Sequence, residues 1–369
     1  MESLEPEQNK VNKTKSYIMM LLALLLFIFA IDLLTVAMSH LNNDVAESIL
    51  LATRNPFVSL FIGLLMTALI QSSSTVTASV VAVVASGHLS LEQAVPMVMG
   101  ANIGTTLTST LVSLSYIMSN REFKRAFSAG MLHDIFNIST VIILLPLEVY
   151  FRFLSKLSIS IAHFFITDES LSAPIVFNKV FTRPISEWIS ETINIPFVTM
   201  ILSVFLVFAA IKILSTAVYK AFVVNSFQDI NKLIFKNPYM AFVYGTFFTA
   251  AVQSSTVTTS LVVPLVANKK VSVKKAFPFI IGANIGTTIT AAIAAIYKTE
   301  AAIALAIVHF LFNLIGALIF LPFPTLRNIP VILAMYIGKR TVKNKFLGFA
   351  YILLTFFIIP FLLIYFSND

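Results

Sequence analysis

The feature that most constrains this chain is an internal repeat. Residues 55–110 recur without a gap as residues 237–292, displaced by 182 positions, and 24 of the 56 aligned positions are identical. Asn55-Pro56 returns as Asn237-Pro238, Gln71 as Gln253, Pro96 as Pro278, and the run GANIGTT stands whole at Gly100–Thr106 and Gly282–Thr288. A fold for this chain must therefore use one supersecondary unit twice.

The repeat lies in an apolar chain. Of 369 residues 58% are hydrophobic and 11% charged, against about 25% charged in an ordinary soluble protein. Apolar runs of spanning or near-spanning length cover about 17–38, 56–86, 91–118, 126–150, 197–224, 238–267, 273–297, 301–321 and 346–366. Such a chain is an all-α membrane protein rather than a soluble enzyme. The net charge of +8 resides in short clusters between the runs. That is the signature of cytoplasmic loops, not of a nucleic-acid surface. Arg121, Lys124 and Arg125 mark one such loop, and others are marked by Lys232 and Lys236, by Lys269, Lys270, Lys274 and Lys275, and by Lys339, Arg340, Lys343 and Lys345. With no cysteine, the chain has no disulfide, thiolate metal site or cysteine nucleophile. Lys10, Lys13 and Lys15 ahead of an uncleaved first run predict a retained helix with a cytoplasmic N-terminus.

These assignments divide the chain into a first repeat (1–166), an extracytoplasmic loop (167–196), a second repeat (197–340) and an additional C-terminal helix (341–369). One spanning helix precedes Asn55, which places it outside, whereas the chain reaches Asn237 from the outer loop and a further span, which places it inside. The copies then enter the membrane from opposite faces as an inverted-topology repeat, and the site is expected at their interface near the midplane. The oversized runs 56–86 and 238–267 carry polar clusters at mid-length, as expected of re-entrant hairpins, and GANIGTT predicts a broken helix in each copy.

Two polar islands recur in each copy. Gln71-Ser72-Ser73-Ser74-Thr75 with Thr77 matches Gln253-Ser254-Ser255-Thr256 with Thr258 and Thr259; Asn102-Ile103-Gly104-Thr105-Thr106 with Thr108 matches Asn284-Ile285-Gly286-Thr287-Thr288 with Thr290. Between Pro56 and Asn120 the only Asp, Glu, Lys or Arg is Glu92. A ligand there must be held by neutral dipoles: free N–H groups at helix starts and hydroxyls for an oxyanion, amide and hydroxyl oxygens for small hard cations. Close helix packing by small residues explains a single Ser-Ser-Ser, but not a duplicated pair of islands at fixed spacing.

With these residues in hand, the chain resembles the type II sodium–phosphate cotransporters. The resemblance rests on the two Gln-Ser-Ser segments and the two Asn-Ile-Gly-Thr-Thr segments. It extends to Arg125-Ala126-Phe127 leading into His133-Asp134 and Phe136-Asn137, and to Leu144-Leu145-Pro146-Leu147-Glu148. It implies coupled symport of inorganic phosphate and co-transported sodium ions across a bacterial plasma membrane by alternating access, with no organic cofactor. It implies phosphate at Gln71, Ser72, Ser73, Ser74, Gln253, Ser254, Ser255 and Thr256. Sodium is implied at Gln71, Asn102, Thr105, Thr106, Asp134, Gln253, Asn284, Thr287 and Thr288. This sequence departs from the animal members at Ala101 and Ala283, where a serine is typical, and its outer loop lacks cysteines and glycosylation sequons. The partners expected are phosphate, sodium and the bilayer, with a homodimer left open.

Asp134 stands out because its counterpart in the second copy is Phe310, although His133 and Asn137 recur as His309 and Asn313. An acid inside a membrane helix is costly and usually functional. The expectation is a sodium ligand in the first copy only. Members of the family it resembles that carry an Asp here are electrogenic, so the resemblance implies electrogenic transport. The competing role is a structural pair with His133 or an arginine. His133 and His309, each four residues ahead of an Asn, are expected in structural hydrogen bonds, Glu148 at the interface, and Arg125 as a cytoplasmic anchor. Rival functions are a carrier of another oxyanion, a phosphate exporter, a non-transporting phosphate sensor, and an intramembrane hydrolase using Ser73 and His133.

Overall fold

The computed structural model describes residues 13–166, 181–218, 234–296 and 299–366. Among these residues the fold is entirely helical, and six helices are long and apolar enough to cross a membrane. In chain order the helices are α1 (Lys13–Ser39), α2 (Asn43–Ala52), α3 (Pro56–Ile70), α4 (Ser73–Ala85), α5 (Leu91–Gly104), α6 (Leu107–Leu114), α7 (Asn120–Phe151), α8 (Phe153–Ile166) and α9 (Arg183–Ile193). They continue with α10 (Pro196–Val218), α11 (Pro238–Val252), α12 (Ser255–Ala267), α13 (Val273–Ala295), α14 (Glu300–Phe320), α15 (Pro324–Lys343), α16 (Phe346–Leu353), a π turn over Leu354–Ile358, and α17 (Ile359–Phe366).

Local chemistry explains why the duplicated segments fold alike. Asn55 caps α3 by accepting from Phe57 N, with Pro56 in the first turn; Asn237 caps α11 by accepting from Met240 N, with Pro238 next to it. Both helices stop at a glutamine in the left-handed region, Gln71 (φ 60°) and Gln253 (φ 54°). The next residue restarts a helix. Ser72 Oγ accepts from Thr75 N, and Ser254 Oγ accepts from Val257 N. Gln-Ser is thus a C-cap joined directly to an N-cap, the shortest way to end one helix and begin another. The resulting helices have 15 and 13 residues in each copy. At 1.5 Å per residue they span about 20 Å, short of the roughly 30 Å hydrocarbon core.

Each hairpin packs along the helix that carries GANIGTT, α3 on α5 and α11 on α13. A Cβ at Gly63 would collide with the carbonyl of Met97, and one at Gly245 with that of Phe279, the repeat counterpart of Met97. Only glycine permits backbones this close.

The two cores are shared rather than private. The larger cluster combines α4 and α5 with Leu305, Val308 and Phe312 of α14, whereas the second combines α12 and α13 with Phe123, Phe127 and Phe136 of α7. Helices α7 and α14, which carry the His-plus-Asn pairs, each contribute to both cores: α7 adds Val141, Leu144 and Leu145 to the larger one, and α14 adds Ala317 and Phe320 to the second.

Several expectations need correction. The second GANIGTT does not interrupt its helix: α13 runs unbroken from Val273 to Ala295. In the first copy α5 ends at Gly104, and Thr106 N bonds back to Ile103 O (3.0 Å), a tightened turn ahead of α6. The residues C-terminal to the motif explain the difference. The first copy continues with Ser109, Thr110 and Ser113, whose hydroxyls bond nearby carbonyls, while the second has Ala291, Ala292 and Ala295, strong helix formers. Arg121, Lys124 and Arg125 lie in the opening turns of α7 rather than in a loop. Glu148 is buried near the end of α7, its carboxylate accepting from Leu154 N (2.7 Å), Ser155 N (3.2 Å) and the Ser155 hydroxyl to cap α8. Helices α2, α8, α9 and α15 were not among the apolar runs. α9 falls within the stretch read as the outer loop, and its Ser190 Oγ lies 2.9 Å from His40 Nδ1, just beyond the end of α1. Residues 167–180 of that stretch, the N-terminal Lys10, and Lys232 lie outside the described residues.

Gly63→Ala and Gly245→Ala should each lower the thermal unfolding midpoint of the purified protein by comparable amounts. The cost is expected to be about 1–3 kcal/mol for a methyl forced into a packed interface. A melting series in detergent checks this, and equal stability in either variant would show that the backbone approach is not tight.

Candidate functional site

The two hairpin tips meet. Ser74, in the first turn of α4, donates through Oγ to the carbonyl of Gln253 at the other tip (3.3 Å), and its oxygen lies 3.2 Å from Thr287 Oγ1 on α13. The starts of α4 and α12 are therefore adjacent, so two positive dipole ends, each with one first-turn N–H capped by its serine, lie close together. Of the expected phosphate residues, this places Gln71, Ser72, Ser73 and Ser74 beside Gln253, Ser254, Ser255 and Thr256. Ser73, Ser74 and Ser255 are buried.

Behind the tips lies an amide–imidazole lattice that links the copies reciprocally. His133 Nε2 is 2.6 Å from Asn284 Oδ1, and Asn284 Nδ2 donates to Asn137 Oδ1 (2.6 Å). Asn137 Nδ2 in turn donates to the Asn102 carbonyl (2.9 Å). On the other side His309 Nε2 lies 3.3 Å from Asn102 Oδ1, which also accepts from Asn313 Nδ2 (3.4 Å). Thus His133 engages the second copy's Asn284 while His309 engages the first copy's Asn102. Neither histidine ring bonds the asparagine amide four residues on in its own helix, which is where the sequence pointed. Because an amide oxygen only accepts, each ring carries its proton on Nε2. Each Nδ1 is buried without a partner among the described residues.

Three of the four threonines expected at sodium have committed hydroxyl hydrogens; the fourth, Thr287, has only its contact with Ser74 Oγ among the described residues. Thr105 Oγ1 donates to Ala101 O (2.9 Å), Thr106 Oγ1 to Ile103 O (2.7 Å) and Thr288 Oγ1 to Ile285 O (2.8 Å). A hydroxyl that donates to its own helix presents lone pairs outward, which suits a cation rather than an anion. Asn102, Asn284, Thr105, Thr106, Thr287 and Thr288 are all buried.

Asp134 lies fully buried on α7, and neither His133 nor an arginine is its partner. Its Oδ2 accepts from Thr110 Oγ1 (3.2 Å) and from the hydroxyl of Tyr351 (3.1 Å), while Oδ1 is buried without a partner among the described residues. Thr110 and Tyr351 were missed in the sequence. Thr110 could have been found from the same asymmetry as Asp134, since its counterpart is Ala292. Tyr351 lies outside the repeat and carries no local signal. Arg125 does not reach this volume: its Nε donates to Ala267 O (2.7 Å) at the end of α12. Among the described residues no three His, Cys, Asp or Glu side chains come together as a metal cluster.

The copies are unequal at their glutamines. Gln71 Nε2 donates to Ala68 O, and Gln71 Oε1 accepts from Thr108 Oγ1 (2.5 Å). The corresponding Thr290 hydroxyl is buried with no partner among the described residues, so no equivalent bond reaches Gln253. Thr67 and Thr249, which correspond by repeat, both have buried hydroxyls without partners among the described residues. Burying a hydroxyl without a partner is costly.

Residues 26–167 and 205–359 match the family model described as Na+/Pi-cotransporter. The chain is 30% identical to sodium-dependent phosphate transport protein 2A of Ovis aries and of Rattus norvegicus, in each case over 93% of this chain and 66% of the relative. It is 28% identical to sodium-dependent phosphate transport protein 2B of Homo sapiens, over 93% of this chain and 64% of the relative. The chain thus spans about two thirds of the length of these relatives. No solved structure matches it.

If the lattice is a coupled unit, His133→Ala and Asn284→Ala should be non-additive in stability by about 1 kcal/mol or more. The longer His309–Asn102 contact should give a smaller coupling. Double-mutant cycles from denaturation in detergent test this; additivity at His133–Asn284 would refute the linkage.

Proposed function

This chain belongs to the Na+/Pi-cotransporter family, and we propose that it carries inorganic phosphate across a membrane together with sodium ions. The observation that carries this reading is the meeting of two duplicated tips, with two helix starts, among uncharged hydroxyls and amides. Phosphate near neutral pH is a mono- or dianion, and burying it uncompensated is prohibitive. Helix-start N–H groups and the hydroxyls of Ser72, Ser73, Ser74, Ser254, Ser255 and Thr256 supply donors. Sodium supplies the charge that the protein lacks. The cation ligands are drawn from Asn102, Asn284, Thr105, Thr106, Thr287 and Thr288, from the amide oxygens of Gln71 and Gln253, and from Asp134. Each ion strengthens binding of the other through short-range attraction in a low dielectric, and by linkage the effect is mutual.

In this reading the short helix pairs are re-entrant hairpins, the copies are inserted inversely in the plasma membrane with the N-terminus cytoplasmic, and access alternates by movement of the hairpin-bearing parts. The unequal state of Gln71 and Gln253 is what a scaffold caught facing one side would show. A serine hydrolase lacks its geometry here: His133 turns Nε2 to Asn284, not to Ser73. Another oxyanion in place of phosphate is separated by competition against labelled phosphate.

Purified protein in liposomes should accumulate labelled phosphate when sodium is high outside, and should fail to do so when potassium replaces sodium. Uptake should also rise with an inside-negative voltage. Asp134→Gly should retain sodium-driven uptake but lose net charge movement. Undiminished charge per phosphate in that variant would remove Asp134 from the cation ligands, and sodium-independent uptake by the native protein would overturn the symport reading.

A further inference from the structure

The Asp134 site is completed by an element that belongs to neither repeat. Tyr351 lies on α16, in the C-terminal segment, and its hydroxyl donates to Asp134 Oδ2 at 3.1 Å. The other donor to that oxygen, Thr110, comes from α6. Three separate elements, α6, α7 and α16, therefore converge on one carboxylate. Its second oxygen is left buried and without a partner among the described residues.

The ring that carries the hydroxyl is itself fixed. It packs edge-on against Phe356, with centroids 6.3 Å apart and an interplanar angle of 83°, and Phe356 is fully buried. The intervening chain enters a π turn at Leu354–Ile358, a local widening of the helix that recurs at functional positions. Upstream, Gly348 lets α16 lie against Phe127 of α7 and Thr341. Nothing in the repeat requires this arrangement. The counterpart of Asp134 is Phe310 and that of Thr110 is Ala292.

We propose that Tyr351 is a positioning residue for the cation at Asp134, an inference that rests on the symport reading above. Two donors from different directions hold Oδ2, which fixes the rotation of the carboxylate and leaves Oδ1 as the single oxygen facing the ion. Supporting hydrogen bonds of this kind orient ligands in metal sites generally. Without the tyrosine hydroxyl the carboxylate is held by Thr110 alone. It then turns away from the ligating geometry for part of the time, and sodium binds more weakly. Phosphate, held at the hairpin tips, is unaffected once sodium is saturating.

The test is phosphate uptake into liposomes by the full-length native protein, Tyr351→Phe, Asp134→Gly and the double variant. The sodium and phosphate half-saturations are measured separately. Tyr351→Phe keeps the ring against Phe356. It should raise the sodium half-saturation about tenfold, the scale of one lost hydrogen bond to a charged group, with the phosphate half-saturation unchanged at saturating sodium. In the Asp134→Gly background the same substitution should add nothing. Tyr351→Met serves as a second replacement should the first fail to accumulate, and carries the same expectation. An unchanged or lowered sodium half-saturation, or an equal shift with and without Asp134, overturns the proposal. A mere packing role would lower the uptake rate without moving the half-saturation, and so also counts against it. If the native protein shows no sodium-driven uptake, it is the symport reading that fails.

Discussion

A polar side chain placed deep in an apolar helical bundle has no water to fall back on, and the architecture here results from meeting that demand across the repeat. Asn102 donates to Val98 O in its own helix, but its Oδ1 accepts from the second copy's Asn313 and meets His309, and Asn284 bonds across to Asn137 and His133 of the first copy. This reciprocity goes with the sharing of α7 and α14 between both cores. It also brings the hairpin tips together, because α5 and α13, which hold the tips' partner helices, also supply Asn102 and Asn284. The site is where the lattice stops and unsatisfied groups begin.

On this near-symmetric frame, the differences between the copies carry the chemistry that symmetry cannot. A symmetric pair of tips can hold an anion between two helix starts. In the proposed symport a cation site with formal charge exists once only, because Asp134 and Thr110 have Phe310 and Ala292 as their repeat counterparts. The Gln71–Thr108 bond likewise has no counterpart at Gln253 and Thr290. In the proposed mechanism, neutral tips and sodium compensation allow coupling without a basic clamp, neither ion being well held alone and each completing the other's site.

Much of this was legible in the sequence, for identifiable reasons. Asn-Pro ahead of an apolar run is a helix start, and Gln-Ser-Ser is a stop joined to a start; repetition at a constant displacement turned those local signals into a fold. The polar islands stood out because almost no charge surrounds them. What could not be read depended on long-range placement or on small differences in propensity. Tyr351 reaches Asp134 from 217 residues away. Whether GANIGTT breaks its helix was decided by the residues after it, hydroxyl-bearing in one copy and alanine in the other. The helix-capping role of the Glu148 carboxylate did not show in the sequence. Helix α15, with Arg327, Lys339, Arg340 and Lys343 in its 20 residues, is too polar to register as an apolar run.

The central claim is that the tip of one repeat seats against the other repeat at a site shared by phosphate and sodium. Because the native chain has no cysteine, a Ser74→Cys, Thr287→Cys pair replaces two oxygens 3.2 Å apart with the only thiols present. Mild oxidation should join them into a disulfide, seen as a mobility shift reversed by reductant, and should stop uptake. Sodium and phosphate together should slow the reaction more than either alone. If no disulfide forms under any condition, the tips do not meet and the account is wrong; if it forms at a rate indifferent to both ions, the meeting point is not their site.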